Sequence, residues 1–348
     1  MSKVAIIVVG VGQIASAWLE QFAEKLPPHA YIHSMHSSQH SALLAAPHSA
    51  KSWRQWWQQA GPRCAIEPLI AALRDQGQQV IVLDLTASKT ISRDYPNWFA
   101  AGADVVSANK YAGSSNPLFY QQLRHQLQQS GQRWLYNTTV GAGLPIQRAI
   151  RERLACHDQL RRLEGNFSGS LSWIFQHYRP GDRLSDWLQQ AAQRGLTEPD
   201  PRLDLSGMDV ARKLLILARE AHWQLALADI QITNLVPQQL RHCSVEQFWQ
   251  QRELFDQHFE QWRLSQHPQA QQFCYLGAVQ QHSHGVVASA ELTPITQQSP
   301  YAHLPPGTAN FIVYSRHYAD NPLIIQGPGA GREVTAAGVH SDILELIY

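Results

Sequence analysis

The sequence lacks the residue patterns that mark several classes of protein. Only four of its 348 residues are cysteine, and Cys64, Cys156, Cys243 and Cys274 lie far apart without a Cys-x-x-Cys pair. This spacing predicts neither a disulfide framework nor a structural zinc site. The seventeen histidines are scattered and show no His-Glu-x-x-His spacing, so they do not indicate a zinc protease either.

Charge of one sign and long apolar runs are also lacking. The charged fraction is 16% and the formal net charge is +1, which gives no electrostatic reason to expect nucleic acid or an anionic membrane as a partner. The apolar run at residues 4–11 is too short to span a bilayer, and Gly-x-Gly stands where a signal peptide would carry its cleavage site. We therefore expect a cytoplasmic globular protein of two or three domains.

The first motif in the chain is a glycine turn. Residues 4–9 form a strand-length apolar run, Gly10, Val11 and Gly12 follow it, and residues 16–25 have the pattern of an amphipathic helix. In a dinucleotide-binding fold the first glycine allows the tight turn and the second lets the backbone approach a pyrophosphate at the helix N-terminus. Such turns also occur in α/β proteins without cofactors, so the motif alone leaves both interpretations open.

Further segments of strand length alternate with helical stretches; they lie at residues 31–35, 80–85, 104–107 and 134–138. This alternation predicts a Rossmann-type, doubly wound parallel sheet. No Asp or Glu occurs in residues 34–40 after the second strand, which favours NADP over NAD, although an arginine for a 2′-phosphate is missing there too. Thr86, Asn109 and Lys110 follow the third and fourth strands, at the edge where the cofactor crevice is expected.

The pattern changes near residue 146 to longer helices mixed with alternating strands, among them residues 273–279 and 285–292. This change predicts a second, α+β domain over residues 146–332, after a nucleotide-binding domain over residues 1–145. A glycine-rich loop at residues 327–331 precedes a helix that starts near Val334. Because such a loop resembles a second cofactor-facing helix start, we expect residues 333–348 to return to the nucleotide-binding domain.

The most informative segment is residues 195–213, which place four carboxylates and one lysine in a turn-rich stretch leading into a helix. Two prolines keep Glu198 in an irregular loop, and Ser206 is the predicted N-cap of the helix. Asp209 and Lys213 are four residues apart and therefore share one helix face. The segment could bind a polar substrate and relay a proton, or it could hold an ordinary surface pair on a capped helix.

Taken together, these residues resemble the homoserine dehydrogenase family, in particular the dehydrogenase half of bifunctional aspartokinase–homoserine dehydrogenases. The matching segments are residues 10–12, 109–110, 140–145, 167–172, 195–213, 327–331 and 334–338. The resemblance implies NAD(P)-dependent interconversion of L-homoserine and L-aspartate 4-semialdehyde, in the threonine and methionine branch of aspartate-family amino-acid biosynthesis. Since neither an aspartokinase portion nor a regulatory domain is recognised beside these segments, we expect a stand-alone, feedback-insensitive dehydrogenase.

The resemblance also implies roles for individual residues. Lys213 matches the lysine that donates and accepts the substrate proton, and Lys110 matches a lysine that contacts cofactor and substrate. The carboxylates implied in substrate binding are Glu198, Asp209 and Asp204. The positions implied in cofactor binding are Gly10, Val11, Gly12, Thr86, Lys110, Gly195 and Gly331. Asn137 and the main-chain oxygens of Val140, Ala142 and Leu144 match a site for a monovalent cation, Na⁺ or K⁺. The family pairs the sheets of its second domain across a two-fold axis, which implies a homodimer.

The chain departs from the family pattern at two of these places. Leu203 stands where an acid usually precedes Asp204, and Asn137 stands where an acid usually precedes the loop at residues 140–145, which weakens the cation ligand set. Two alternatives stay open: a catalytically degenerate paralogue that binds a nucleotide or a partner, and an NAD(P) oxidoreductase of another small amino-acid semialdehyde. The lysine and carboxylates of residues 195–213 argue against the first, and the completeness of that segment argues against the second.

Overall fold

The computed structural model describes residues 2–44 and 52–348. The chain divides into two compact units: unit 1 comprises Met1–Leu144 and Gly331–Tyr348, and unit 2 comprises Pro145–Ala330. The predicted α/β fold class, with a Rossmann-type parallel sheet and a second α+β part, is confirmed. Among the described residues, none of the helices combines the length and the hydropathy that a bilayer crossing requires.

Unit 1 alternates strands and helices around one sheet. Its strands are β1 (Val4–Val9), β2 (Ala30–His36), β3 (His40–Leu43), β4 (Gly61–Pro62), β5 (Gln79–Asp84), β6 (Ala103–Ser107) and β7 (Trp134–Leu135). Its helices are α1 (Gln13–Phe22), α2 (Trp53–Gln58), α3 (Glu67–Asp75), α4 (Tyr95–Ala100), α5 (Pro117–Ser130) and α13 (Arg332–Ile347). The strand order is β4-β3-β2-β1-β5-β6-β7, with parallel pairing from β2 through β7 and antiparallel pairing at β3 and β4.

The central strands of unit 1 are buried on both faces. Every residue of β1 and β6, and all but the first of β5, is buried, which explains why these strands appear in the sequence as continuous apolar runs. Helices α1 and α13 cover one face, where Trp18, Val339 and Ile343 pack into the core. The carboxyl ends of the parallel strands therefore lie along one edge of a rigid sheet, where they can present loop residues.

Two predicted boundaries in unit 1 were wrong. Helix α1 begins at Gln13, directly after Gly12, so the start predicted at residue 16 is three residues late. A 3₁₀ turn at Ala23–Lys25 continues α1 to the predicted end at residue 25. The last strand stops at Leu135 instead of Thr138. There the chain enters a 3₁₀ turn at Asn137–Thr139, in which Thr139 N–H donates to Tyr136 O at 3.0 Å.

Unit 2 is a mixed sheet with helices. Its strands are β8 (Leu160–Gly165), β9 (Gln231–Ile232), β10 (Gln272–His282), β11 (Gly285–Ile295), β12 (Thr308–Ser315) and β13 (Leu323–Pro328). Its helices are α6 (Ile146–Ala155), α7 (Gly169–His177), α8 (Leu184–Gln193), α9 (Arg202–Leu205), α10 (Met208–Glu220), α11 (Val245–Gln250) and α12 (Arg252–Gln266). The strand order is β13-β12-β8-β10-β11-β9, antiparallel except between β11 and β9.

The junction between α9 and α10 brings the carboxylate-rich segment against the sheet. Gly207 is the N-cap of α10 and has a φ of +71°, and a Cβ at this position would collide with the Tyr275 hydroxyl. The prediction of Ser206 as N-cap was wrong, because Ser206 still has helical backbone angles at the end of α9. Its hydroxyl donates to Leu203 O at 2.7 Å and also accepts from the Met208 N–H at 3.3 Å.

Candidate active site

Lys213 is held by two oxygen acceptors within unit 2. Its Nζ lies 2.8 Å from Asp209 Oδ2, one helical turn earlier, and donates to the main-chain oxygen of Phe167 at 2.7 Å. The Lys213 side chain is 14% exposed, whereas that of Asp209 is 48% exposed. The ammonium group is therefore largely withdrawn from solvent but keeps one free donor direction, since an ammonium group has three N–H bonds.

Asp204 links the substrate segment to the start of α7. Its Oδ1 accepts from Ser170 Oγ at 2.6 Å, and its Oδ2 accepts from the Glu198 main-chain N–H at 2.9 Å. Burial raises the pKa of Asp204, and the neighbouring Asp209 carboxylate also raises it, while these two hydrogen bonds oppose the shift. Because both oxygens are engaged, Asp204 fixes the position of the loop that carries Glu198.

The remaining positions of this segment are more open. The Glu198 side chain is exposed, in the loop between α8 and α9. Gly195 has a φ of +68° where α8 ends, and its N–H donates to Ala192 O at 2.9 Å, which is a structural reason for glycine there. Leu203 is 59% exposed, so the loss of an acid at this position does not alter the hydrogen bonds of Asp204.

The glycine turn of unit 1 leaves room over the start of α1. A Cβ on Gly12 would meet no atom within 4 Å, whereas a Cβ on Gly10, which has a φ of +92°, would lie 2.7 Å from Thr86 Cγ2. No side chain of the described residues caps α1 at Gly12. The open helix N-terminus, with Val11 half-buried beside it, therefore fits the pyrophosphate of a dinucleotide.

Thr86, Asn109 and Lys110 lie at the carboxyl ends of β5 and β6. Thr86 Oγ1 donates to Asp84 Oδ1 at 2.7 Å, and Asn109 Nδ2 donates to Asp84 Oδ2 at 2.9 Å. Lys110 is half-buried between Asn109 and Tyr111, and its main-chain oxygen accepts from Ser114 Oγ at 2.8 Å. Two neighbouring strand ends are thus joined through one buried carboxylate.

Gly331 lies at the start of α13, in unit 1. It is the N-cap of this helix, with a φ of +129°, and its main-chain oxygen accepts from Thr335 Oγ1 at 2.7 Å. Among the described residues no side chain caps this helix start. The glycine-rich loop expected at residues 327–331 is partly strand, because Gly327 and Pro328 belong to β13.

The loop expected to hold a cation has an unusual backbone. Gly141 and Ala142 both have left-handed angles, with φ values of +78° and +54°. Positive φ at a non-glycine residue costs free energy and is common at functional sites. The expected ligand oxygens are the main-chain oxygens of Val140, Ala142 and Leu144. Of these, Leu144 O accepts from Asn137 Nδ2 at 3.2 Å.

Two family models match consecutive parts of the chain. A model described as homoserine dehydrogenase matches residues 145–344, and one described as homoserine dehydrogenase, NAD binding domain, matches residues 10–137. The chain belongs to the homoserine dehydrogenase family. The resemblance drawn from residues 195–213 is thereby confirmed, and with it membership in a family of NAD(P)-dependent oxidoreductases.

Members of this family with similar sequences are bifunctional proteins. The chain is 34% identical over 352 positions to bifunctional aspartokinase/homoserine dehydrogenase 2 of Escherichia coli. The aligned region covers 99% of this chain and 43% of that protein. It is 42% identical over 270 positions to the chloroplastic bifunctional aspartokinase/homoserine dehydrogenase 2 of Arabidopsis thaliana, over 76% of this chain and 29% of that protein. The chain thus spans less than half the length of these relatives.

Solved structures share the fold. A Candida auris protein of unknown function has a TM-score of 0.91 at 28% identity, over 99% of this chain and 98% of that one. A hyperthermophilic archaeal homoserine dehydrogenase mutant in complex with NADPH has a TM-score of 0.75 at 17% identity, over 99% and 98%. At that identity the second likeness concerns the fold alone.

Three residues that the sequence prediction omitted belong to these surroundings. Ser170 contacts Asp204, Asp84 joins the ends of β5 and β6, and Arg63 lies beyond the end of β2, where its main-chain N–H donates to Gln39 O at 3.0 Å. The positive charge of Arg63 contributes to the lowered pKa of His36, the last residue of β2. Ser170 stands inside the family segment 167–172, which was a usable signal. Arg63 is distant in sequence from β2, and nothing local identified it.

Proposed function

We propose that this protein is an active homoserine dehydrogenase that interconverts L-homoserine and L-aspartate 4-semialdehyde, in the threonine and methionine branch of aspartate-family amino-acid biosynthesis. The observation that carries the proposal is the placement of Lys213, whose Nζ is 2.8 Å from Asp209 and 2.7 Å from Phe167 O inside the family segment 195–213. The complete set of Lys213, Asp209, Asp204 and Glu198 favours catalysis over a degenerate paralogue.

Lys213 is the proposed proton donor and acceptor. Reduction of an aldehyde to an alcohol adds a hydride to carbon and a proton to oxygen. When bound, the nicotinamide cofactor supplies or accepts the hydride. Lys213 delivers the proton to the semialdehyde oxygen and removes the hydroxyl proton in the reverse direction, through the N–H direction that Asp209 and Phe167 leave free.

Glu198 and Asp209 are the proposed partners of the substrate ammonium, because exposed carboxylates can form charge-assisted hydrogen bonds with it. Asp204 contributes to substrate binding through its hydrogen bond to the Glu198 N–H. Unit 1 is the proposed nucleotide-binding part, with the open helix start at Gly12 for the pyrophosphate, and unit 2 is the proposed substrate-binding and dimerisation part. Val11, Thr86, Lys110, Gly195 and Gly331 are further proposed cofactor positions, and Lys110 is also a candidate catalytic group.

NADP is the proposed cofactor in preference to NAD. The loop after β2 contains no carboxylate that would bind a ribose 2′-hydroxyl and repel a 2′-phosphate. Arg63 is exposed and acts electrostatically on His36 at the end of that strand. A guanidinium group in this place suits a phosphate, since its planar fork of N–H donors matches phosphate oxygens.

A monovalent cation, Na⁺ or K⁺, is proposed at the main-chain oxygens of Val140, Ala142 and Leu144. The two consecutive left-handed residues in this loop support a functional reason for its backbone. Asn137 fits less well than a carboxylate would, because its amide N–H occupies Leu144 O. The amide N–H competes with a cation for Leu144 O, whereas a carboxylate would add a negative charge. Asn137→Asp should therefore lower the KCl concentration that gives half-maximal activity; equal KCl dependence of both proteins would contradict the site.

A homodimer is proposed through the open face of the unit 2 sheet. On this face Val287 is 59% exposed and Ile324 is 48% exposed, on strands β11 and β13. Residues of the segment 296–306, including Tyr301, cover another part of the same face around Ile312. An isologous contact between two such faces would remove the exposed apolar side chains from water.

The direct test is an absorbance assay at the band of the reduced nicotinamide. L-homoserine should produce this band with NADP⁺, and more slowly with NAD⁺, while other short hydroxy amino acids should not. Cofactor binding without turnover of homoserine would indicate the degenerate paralogue. Turnover that prefers a different amino-acid alcohol would indicate a related oxidoreductase.

A further inference from the structure

Asp84 is a fully buried carboxylate at the last position of β5, with a relative exposure of 0%. It accepts hydrogen bonds from Thr86 N–H at 2.9 Å, Thr86 Oγ1 at 2.7 Å, Tyr95 Oη at 2.6 Å and Asn109 Nδ2 at 2.9 Å. The described residues bring no lysine or arginine into a hydrogen bond with it. A buried anion held only by neutral donors is costly, so the arrangement requires an explanation beyond packing.

The donors around Asp84 determine its state. A main-chain N–H and an amide N–H₂ can only donate, so the oxygens that face Thr86 N–H and Asn109 Nδ2 must both accept. Tyr95 Oη also donates to Asp84. The Tyr95 oxygen in turn accepts from the Ser107 hydroxyl. Ser107 Oγ itself accepts from Trp134 Nε1 at 3.0 Å, so its own hydrogen is available for Tyr95. Burial raises the pKa of Asp84, but these four hydrogen bonds act in the opposite direction and favour the carboxylate.

The same contacts hold the Thr86 hydroxyl within the turn. It donates to Asp84 and accepts from Ser88 N–H at 3.1 Å. Its only hydrogen is therefore used for Asp84, because a hydroxyl has one donor position. The hydroxyl of Thr86 thus shapes the turn after β5.

Asn109 is used in the same way. Its Nδ2 donates to Asp84 and to Ser88 O at 2.8 Å, and its Oδ1 accepts from Tyr111 N–H at 3.0 Å. Lys110 lies between Asn109 and Tyr111, which this hydrogen bond joins. Asp84 therefore fixes, through Thr86 and Asn109, both the turn at residues 86–88 and the backbone on each side of Lys110.

We propose that Asp84 is the positioning residue of the nicotinamide cofactor site, holding the turns after β5 and β6 in the conformation that binds NADPH. The inference rests on the proposed function, because it assigns these two turns to cofactor binding. Asp84 itself does not contact the cofactor; it acts through Thr86 and Asn109. In Asp84→Asn the amide N–H₂ must face either Thr86 N–H or Asn109 Nδ2, and either orientation sets two donors against each other.

The test compares NADPH affinity and stability in matched variants of the full chain. Asp84→Asn should raise the Kd for NADPH, measured by fluorescence titration, at least about tenfold. The matched control is Asp104→Asn. Asp104 is also buried and accepts from Arg133 N–H at 2.8 Å and Gln79 Nε2 at 2.9 Å, but it stands near the start of β6, at the opposite edge of the sheet. Asp104→Asn should lower the free energy of unfolding but leave the Kd for NADPH within about twofold of the wild-type value.

Hydrogen exchange provides a second measurement, which separates local loosening of the two turns from a general loss of stability. In Asp84→Asn the amides of Ser88 and Tyr111 should exchange faster at native temperature, and in Asp104→Asn they should not. If Asp84→Asn does not fold, Tyr95→Phe, which removes one donor to the same carboxylate, should raise the Kd in the same direction but by less.

Three outcomes distinguish the proposals. A selective loss of NADPH affinity in Asp84→Asn, or in Tyr95→Phe, supports the positioning role. Wild-type affinity in these variants, or an equal loss in Asp104→Asn, overturns it while the proposed function stands. Failure of the wild-type protein to bind either nicotinamide cofactor overturns the proposed function and, with it, this inference.

Discussion

Asp209 Oδ2 and Lys213 Nζ are 2.8 Å apart on one face of α10, with the acid one turn before the base. This order is the favourable one for a helical ion pair. At a surface such a pair contributes only a few tenths of a kcal/mol, yet here the lysine side chain is 14% exposed and also donates to Phe167 O. The pair is therefore better explained as a means of orienting the ammonium group than as a source of stability.

Replacement of Lys213 tests proton transfer directly. Lys213→Ala should lower kcat for homoserine oxidation by about 10²–10⁴, because a positioned acid/base is lost. Lys213→Arg should be nearly as inactive, since a guanidinium keeps the charge but does not release a proton near neutral pH. The Kd for NADPH should stay unchanged in both. Substantial activity in Lys213→Arg would mean that only the charge matters, and wild-type turnover in Lys213→Ala would transfer the role to Lys110 or to water.

Glu198 and Asp204 should affect substrate binding together, because Asp204 accepts a hydrogen bond from the Glu198 main-chain N–H. Glu198→Gln should raise the KM for homoserine about tenfold or more with little change in kcat, because the ammonium contact is made in the ground state and the transition state alike. Asp204→Asn should also raise the KM, since it weakens the hydrogen bond to the Glu198 N–H. In the double variant the two effects should be less than additive. Full additivity would show that Asp204 contacts the substrate independently of Glu198.

Arg63 should determine the preference between the two cofactors. Arg63→Ala should raise the Kd for NADPH about tenfold and leave the Kd for NADH unchanged, because only NADPH carries the 2′-phosphate. Arg124 on α5 is exposed and offers a matched control, so Arg124→Ala should change neither value. An equal loss of both affinities in Arg63→Ala would indicate a structural role instead.

Local periodicity accounts for what could be predicted about this molecule. Continuous apolar runs correctly indicated the buried parallel strands, and the spacing of Asp209 and Lys213 indicated one helix face. The contacts of Ser170 with Asp204 and of Arg63 with the end of β2 depend on how distant segments fold back, so no periodicity could reveal them. The Ser206 cap was wrong because α10 starts from a left-handed glycine at 207, where a Cβ would collide with the Tyr275 hydroxyl.

The open sheet face of unit 2 should determine the assembly. Val287→Glu should shift the protein to a monomer in sedimentation velocity at micromolar concentration, because a charge would be buried at the centre of an apolar contact. Leu264 on α12 is 52% exposed and away from the sheet strands, so Leu264→Glu is the matched control and should leave the dimer intact. A wild-type monomer at this concentration would contradict the proposed dimer.

His36 should make the stability of the protein depend on pH below neutrality. Its ring is buried and hydrogen-bonded to Ser41 Oγ at 2.8 Å and Ser34 Oγ at 2.9 Å. Burial, followed by the positive charge of Arg63, lowers the pKa of His36 to about 4 from 6.5. The unfolded chain therefore binds a proton that the folded chain does not, and the contribution is complete above pH 6.5 and is lost as the pH falls towards 4.

The measurement is urea unfolding at pH 8 and at pH 5. Between these values the wild-type protein should lose about 2 kcal/mol more unfolding free energy than His36→Asn, in which the titrating ring is absent. His125 on α5 is exposed, so His125→Asn should keep the wild-type pH dependence. Because all three proteins share the remaining titratable groups, the difference isolates His36. Parallel pH profiles for the wild-type protein and His36→Asn would show that His36 is protonated as readily when folded as when unfolded.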